Sequence, residues 1–252
     1  MTFFVSHSAS IDKSSDFGIF VHVPKCAGSS IQDYLSQFGL NLFRPYPSMN
    51  HHRSFSESLS YIDRLGKKPN FSIIPWRNPL EWRLSIFNYA IKENPDISFM
   101  PLENALFSKI GFNKYIDILL GVSNSSLPKL SRSELPWSTL WSWLVQPFFN
   151  ELMPDTIYLV NSSFPVQSSI RKICEIEFNL SLTSCLDDFQ RLNCFTDSSE
   201  RNFVLSSLPE NIKRSLVRND LAFLYPHLNT NLPMHTFSSS DWINVSRHRV
   251  HS

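Results

Sequence analysis

The stretch Gly18-Ile-Phe-Val-His-Val-Pro-Lys-Cys-Ala-Gly-Ser-Ser-Ile-Gln-Asp-Tyr-Leu-Ser-Gln-Phe-Gly39 changes its period in the middle. Gly18 to Val23 is a short, mostly apolar and β-branched run whose length suits a buried strand. Past Ala27, Ile31, Tyr34, Leu35 and Phe38 recur at helical spacing, and Gly39 is a natural stop. The unit is therefore strand, tight loop, helix. Its loop presents free backbone N–H groups and the positive end of a helix dipole, the arrangement that receives an anion. Gly28 permits close approach, the Ser29 and Ser30 hydroxyls donate, and Lys25 adds a point charge. Phosphate or sulfate is the expected guest. In the GxxxxGK[ST] motif Lys follows the last Gly, whereas Lys25 precedes Gly28, which disfavours an ordinary P-loop NTPase.

A second junction of the same kind lies downstream. Phe71-Ser-Ile-Ile-Pro75 reads as a buried strand and Asn78-Pro-Leu-Glu81 as a helix start: Asn caps, Pro fills the first position, and Glu closes a capping-box-like arrangement. The helix extends to about Ile91. Arg77 sits at the strand end, and Ser85 lies about two turns into the helix on the face shared by Glu81 and Tyr89. Arg offers a planar fork suited to phosphate and Ser adds a donor. A ligand with phosphates at two separate points would bridge the junctions.

Working outward, Phe55, Leu59, Ile62 and Leu65 mark a helix before Gly66. Leu102 to Leu120 is a helical pattern, Ser123 to Arg132 a polar loop, and Trp137 to Phe149 an aromatic-rich helix. Thr156-Ile-Tyr-Leu-Val160 is a third strand, followed by a helix through Ile170, Ile173 and Ile176; a further helix covers Glu210 to Tyr225. The polar stretch 238–252 predicts a disordered tail. Strands alternating with helices imply one α/β domain over residues 1–252, with a central parallel sheet flanked by helices.

Composition narrows the partners. The chain has 252 residues with 23 Lys plus Arg against 22 Asp plus Glu and no long block of one sign, which argues against a nucleic-acid coat. No apolar run reaches the length of a membrane span, and the N-terminus lacks a signal-peptide pattern. Four cysteines at 26, 174, 185 and 194 include no CxxC pair, giving neither a zinc signature nor a disulfide framework. A reducing cytoplasm without membrane contact is the expected setting.

Ile19-Phe-Val-His-Val-Pro-Lys-Cys-Ala-Gly-Ser-Ser30 resembles the 5'-phosphosulfate loop of sulfotransferases that use 3'-phosphoadenosine 5'-phosphosulfate (PAPS), particularly those acting on carbohydrates. Ile74-Pro-Trp-Arg-Asn-Pro-Leu-Glu-Trp-Arg-Leu-Ser-Ile-Phe87 is similar to the 3'-phosphate segment of that family, in the expected order. The detailed resemblance spans about residues 18 to 90. It implies a P-loop-like sulfotransferase fold, with Lys25, Cys26, Ala27, Gly28, Ser29, Ser30, Arg77 and Ser85 holding PAPS and no metal. Two positions depart from the pattern. Trp82 stands where the family has a second Arg, with Arg83 one place late and so turned by about 100° around the helix; Cys26 replaces the frequent Thr at a position that contributes backbone.

The resemblance further implies in-line transfer of the sulfuryl group to a hydroxyl or amine of a carbohydrate or small natural product, with Lys25 stabilising the leaving oxygen. The resemblance also makes His52 the candidate general base, ahead of His51 and His22, because similar family members carry a His between the two motifs just before a helix, the place that His51-His52-Arg53-Ser54 occupies. His22 reads instead as a packing residue, Trp137, Trp141 and Trp143 as core. Two rivals stand beside this reading. A divergent P-loop small-molecule kinase would need carboxylates for magnesium, yet the third strand ends Leu159-Val160-Asn161. A non-catalytic nucleotide-binding module would share the loops without turnover.

Overall fold

The computed structural model describes residues 2–8, 10–12, 15–43, 55–92, 110–119, 152, 154, 156–162, 166–180, 206–214 and 242–246. Among the described residues six strands form one sheet: β1 (Thr2–Ser6), β2 (Gly18–Val21), β3 (Asn41–Phe43), β4 (Phe71–Trp76), β5 (Thr156–Asn161) and β6 (Trp242–Ser246), in the order β3-β1-β2-β4-β5-β6. Pairs β2–β4 and β4–β5 are parallel, whereas β1–β2, β1–β3 and β5–β6 are antiparallel. The sheet is therefore mixed, not parallel throughout as expected, because three strands the sequence pattern did not reveal are added at its two sides.

The three strands that were expected are all present. Strand β2 ends two residues earlier than the apolar run, since the Val23 N–H bonds the Val21 carbonyl at 3.0 Å and turns the chain out of the ladder. In β4, Pro75 lies beyond the last pairing with β2, Phe20 with Ile73, so its missing N–H costs no bond on that side.

The helices are α1 (Gly28–Gln37), α2 (Phe55–Leu65), α3 (Pro79–Lys92), α4 (Phe112–Leu119) and α5 (Gln167–Phe178). Alternation along the strands sorts the core into two layers. Phe3, Val5, Phe20, Phe71, Ile73, Tyr158 and Val160 point to one face, where Ile31, Tyr34 and Leu35 of α1 and Ile170, Ile173 and Cys174 of α5 cover them. Phe4, Ile19, Val21, Ile74, Trp76, Ile157 and Leu159 point to the other, under Ile62 of α2, Trp82, Leu84 and Phe87 of α3 and Phe112, Tyr115 and Ile116 of α4.

Helix boundaries follow the expected signals. Gly39 takes φ +70 just past α1, and the Leu80 N–H donates to Asn78 Oδ1 at 2.9 Å at the start of α3. Ile176, the last of the three isoleucines that marked α5 in the sequence, is 54% exposed. Each step of three residues falls about 60° short of a full turn, so Ile176 lies about 120° around from Ile170. Of the expected helix 102–120, residues 110–119 are described and α4 takes up 112–119 of them; of the helix 210–225, residues 210–214 are helical. The segments 123–132 and 137–149, with Trp137, Trp141 and Trp143, lie outside the described residues. Strand β6 falls inside the stretch 238–252 for which the sequence predicted disorder: Ile157 and Leu159 of β5 pair with Val245 and Ile243.

Candidate functional site

Because β2, β4 and β5 run parallel and adjacent, their carboxyl ends open on one edge of the sheet, where ligands of open α/β sheets bind. Three connections meet there: the loop 22–27, the pair Arg77–Asn78, and Ser162. The Ser162 N–H and hydroxyl both donate to the Trp76 carbonyl, at 2.7 and 2.9 Å, which ties the end of β5 to that of β4.

The loop after β2 is held in an uncommon shape. Lys25 has φ 61 and Ala27 φ 58, both left-handed, a region that costs an ordinary L-residue about 1–2 kcal/mol. Ala27 is the N-cap of α1 and makes no side-chain cap bond, and the first turn of the helix carries no acidic residue. The Ile31 N–H takes the Ala27 carbonyl at 2.9 Å, so the N–H groups of Gly28, Ser29 and Ser30 precede the first intrahelical bond. Ser29 is half-buried and Ser30 buried. A positive helix end without a side-chain cap thus faces the same edge as the strand termini.

Gly28 is required here for a reason the sequence did not reveal. A Cβ at this position would stand 2.3 Å from the His22 ring, which packs against the glycine. His22 lies just past β2, half-buried and 6.2 Å from the Phe20 ring centroid, in the packing role expected of it.

Cys26 turns its side chain away from this edge. It is fully buried in the core layer beneath α3, with its thiol beside Ser162. Burial pushes the Cys26 thiol up to about 12, against the opposing pull of Arg77, Ser162 and Lys25. Only the Cys26 backbone remains to serve the loop. Buried and held in its neutral form, native Cys26 is expected to resist Ellman's reagent at pH 8 and to react once the chain is unfolded in urea. The same burial raises Cys174 to about 12. Between about pH 9 and 12 the folded state then holds protons that the unfolded state has released, and stability falls as pH rises through that window. Reaction of native Cys26 at the unfolded rate would contradict both statements.

Helix α3 supplies the other wall. Trp82, 1% exposed, donates its indole N–H to the Pro24 carbonyl at 2.8 Å. Arg77 donates Nε–H to Glu81 Oε2 at 3.0 Å and Nη1–H to the Lys25 carbonyl at 3.4 Å. Its side chain is 18% exposed and that of Glu81 20%, so this ion pair is partly screened from water. The Lys25 ammonium sits 4.3 Å from the centroid of the Tyr89 ring. Ser85, half-buried, lies one turn from both Glu81 and Tyr89, on the helix face that meets the loop. Arg83 is 4% exposed with its guanidinium 5.8 Å from the Trp82 ring, packed beside the indole.

The structure therefore brings Lys25, Gly28, Ser29, Ser30, Arg77 and Ser85 to one edge of the sheet and sends the Cys26 side chain into the core. His51 and His52 lie outside the described residues. Sequence reasoning missed Trp82 and Tyr89 as neighbours of the loop; the signal available was their seven-residue spacing, which sets the two rings within about 20° of each other around the helix.

What the fold and site define is an α/β protein with one mixed sheet and a cationic, backbone-donor edge. No family model, no curated protein and no solved structure matches the chain. Among the described residues no helix is long and apolar enough to cross a membrane.

Proposed function

We propose that the chain is a PAPS-dependent sulfotransferase with a P-loop-like arrangement of its parallel strands, acting on a hydroxyl or amine of a carbohydrate or small natural product. The observation that carries this reading is the meeting of Lys25 and Arg77 beside the N-terminus of α1: two cations on neighbouring junctions, joined by the bond from Arg77 to the Lys25 carbonyl at 3.4 Å. One junction alone suits any anion. Two suit a nucleotide with phosphates at both ends. A cytoplasmic setting belongs to the same reading and is supported by the free, buried thiols of Cys26 and Cys174.

PAPS would supply the sulfuryl group and, as leaving group, adenosine 3',5'-bisphosphate. The backbone N–H groups and hydroxyls of Gly28 to Ser30 hold the 5' end, and Arg77 with Ser85 the 3'-phosphate. Lys25 offsets negative charge on the oxygen that leaves sulfur, while the acceptor proton passes to a base. His52 takes that role on the strength of the sequence resemblance.

Calorimetry with adenosine 3',5'-bisphosphate tests the core of the reading, and an absence of binding would sink it. His52→Ala is expected to bind the bisphosphate as the parent does and to lose about 10²-fold or more in transfer rate, the usual contribution of a general base. Full activity in that variant moves the role to another residue. Bisphosphate binding without turnover on any acceptor would favour the non-catalytic module.

A further inference from the structure

The loop that presents Lys25 contains two left-handed, non-glycine residues within three positions, at φ 61 and φ 58. Such conformations persist where the surroundings over-determine them. Two successive carbonyls of this loop, those of Pro24 and Lys25, each accept a side-chain donor from the β4–α3 unit: the Trp82 indole at 2.8 Å and the Arg77 guanidinium at 3.4 Å. Of the two, the Trp82 bond is the shorter, is buried, and comes from a ring fixed in the core layer. The Tyr89 ring, two turns along from Trp82, then carries the Lys25 ammonium. Helix α3 thus grips both the backbone and the charged end of the residue that gives the edge its positive character.

We propose that Trp82 is a positioning residue for the anion-binding loop: its indole N–H fixes the Pro24 carbonyl, and through it the left-handed turn at Lys25 and the direction of the N–H groups that follow. The assignment of the anion as the 5' end of PAPS rests on the functional reading above; the hold itself does not. Trp82 occupies the position at which a second Arg was expected. An indole there supplies a directional donor to the loop without a second charge for the ligand.

The test compares Trp82→Phe, which keeps an aromatic ring and deletes the donor, with Phe87→Leu, a core change on the same helix where Phe87 packs on Phe112 and Tyr115. Hydrogen exchange in the ligand-free protein should show faster exchange confined to the amides of residues 25–30 in Trp82→Phe, and no such local change in Phe87→Leu. Affinity for adenosine 3',5'-bisphosphate should fall about tenfold in Trp82→Phe, the order expected when a buried carbonyl loses its donor, and should stay within about twofold in Phe87→Leu. Equal behaviour of the two variants reduces Trp82 to a packing residue and overturns the proposal. Should the parent bind no bisphosphate, the functional reading fails while the exchange comparison still decides the hold. Should Trp82→Phe not fold, the indole N–H resonance of Trp82 in the parent decides: protection from exchange supports the bond, and an unprotected indole overturns it.

Discussion

Lys25→Ala is expected to cut sulfuryl transfer by about 10²–10³-fold, the loss seen when one preorganised donor to a developing oxyanion is deleted. The ammonium is a strongly hydrated point charge, and it is held here against the face of Tyr89, 4.3 Å from the ring centroid, on a half-buried side chain. A cation already partly desolvated and fixed in direction needs little reorganisation when charge builds on the leaving oxygen. Bisphosphate affinity should fall less, by about tenfold, because in the proposed mode of binding the product also meets the N–H groups of residues 28–30 and Arg77. That split between rate and affinity separates stabilisation of the leaving oxygen from plain anion attraction. Backbone strain offers an internal control. Position 25 has φ 61, which suits glycine, so Lys25→Gly should lose the same rate as Lys25→Ala while folding with greater stability. Transfer by Lys25→Ala within tenfold of the parent would remove the lysine from this role.

How much of the fold is legible in the sequence depends on where each element's stabilisation comes from. Strands β2, β4 and β5 are buried on both faces, and that burial is written locally as apolar, β-branched runs at residues 18–23, 71–75 and 156–160. Strands β1, β3 and β6 were not legible. Asn41–Phe43 is three residues long, too short to show a period, and Trp242–Ser246 sits in a polar stretch. Each is fixed by ladder bonds to a partner chosen by the fold: β6 pairs with a strand that ends at Asn161, some eighty residues earlier. Propensity carries no record of such a partner.

The candidate site divides in the same way. Lys25, Gly28, Ser29, Ser30, Arg77 and Ser85 were legible because the loop and helix-start chemistry is local. The bond from Trp82 to Pro24 and the seat of Lys25 on Tyr89 link positions more than fifty residues apart, and only packing of α3 on the loop creates them. The reason for Gly28 was likewise half visible: the sequence showed a need for close approach, but the group that approaches is the His22 ring.

Arg77→Ala is expected to weaken bisphosphate binding by about 100-fold, more than the loss of one cation alone would give. Arg77 has two jobs at this edge. In the proposed function it presents a fork toward the phosphate, and its Nε–H, 3.0 Å from Glu81 Oε2, neutralises a carboxylate that shares the helix face with Ser85. With both side chains about one-fifth exposed, the pair is screened less than a surface ion pair. Removing the arginine therefore takes this cation away from Glu81 and, on the proposed function, raises the negative charge that the ligand's phosphate meets. The consequence is non-additive. Arg77→Ala with Glu81→Gln should bind about tenfold more tightly than Arg77→Ala alone, a recovery of about 1.4 kcal/mol, although it lacks the same cation. Raised salt should shrink that recovery, since it screens the repulsion. Calorimetry on the four members of the cycle settles the matter: equal affinities for the single and double variants would place the Glu81 charge out of reach of the ligand, and parental affinity in Arg77→Ala would leave Arg77 only the task of tying the Lys25 carbonyl to the end of β4.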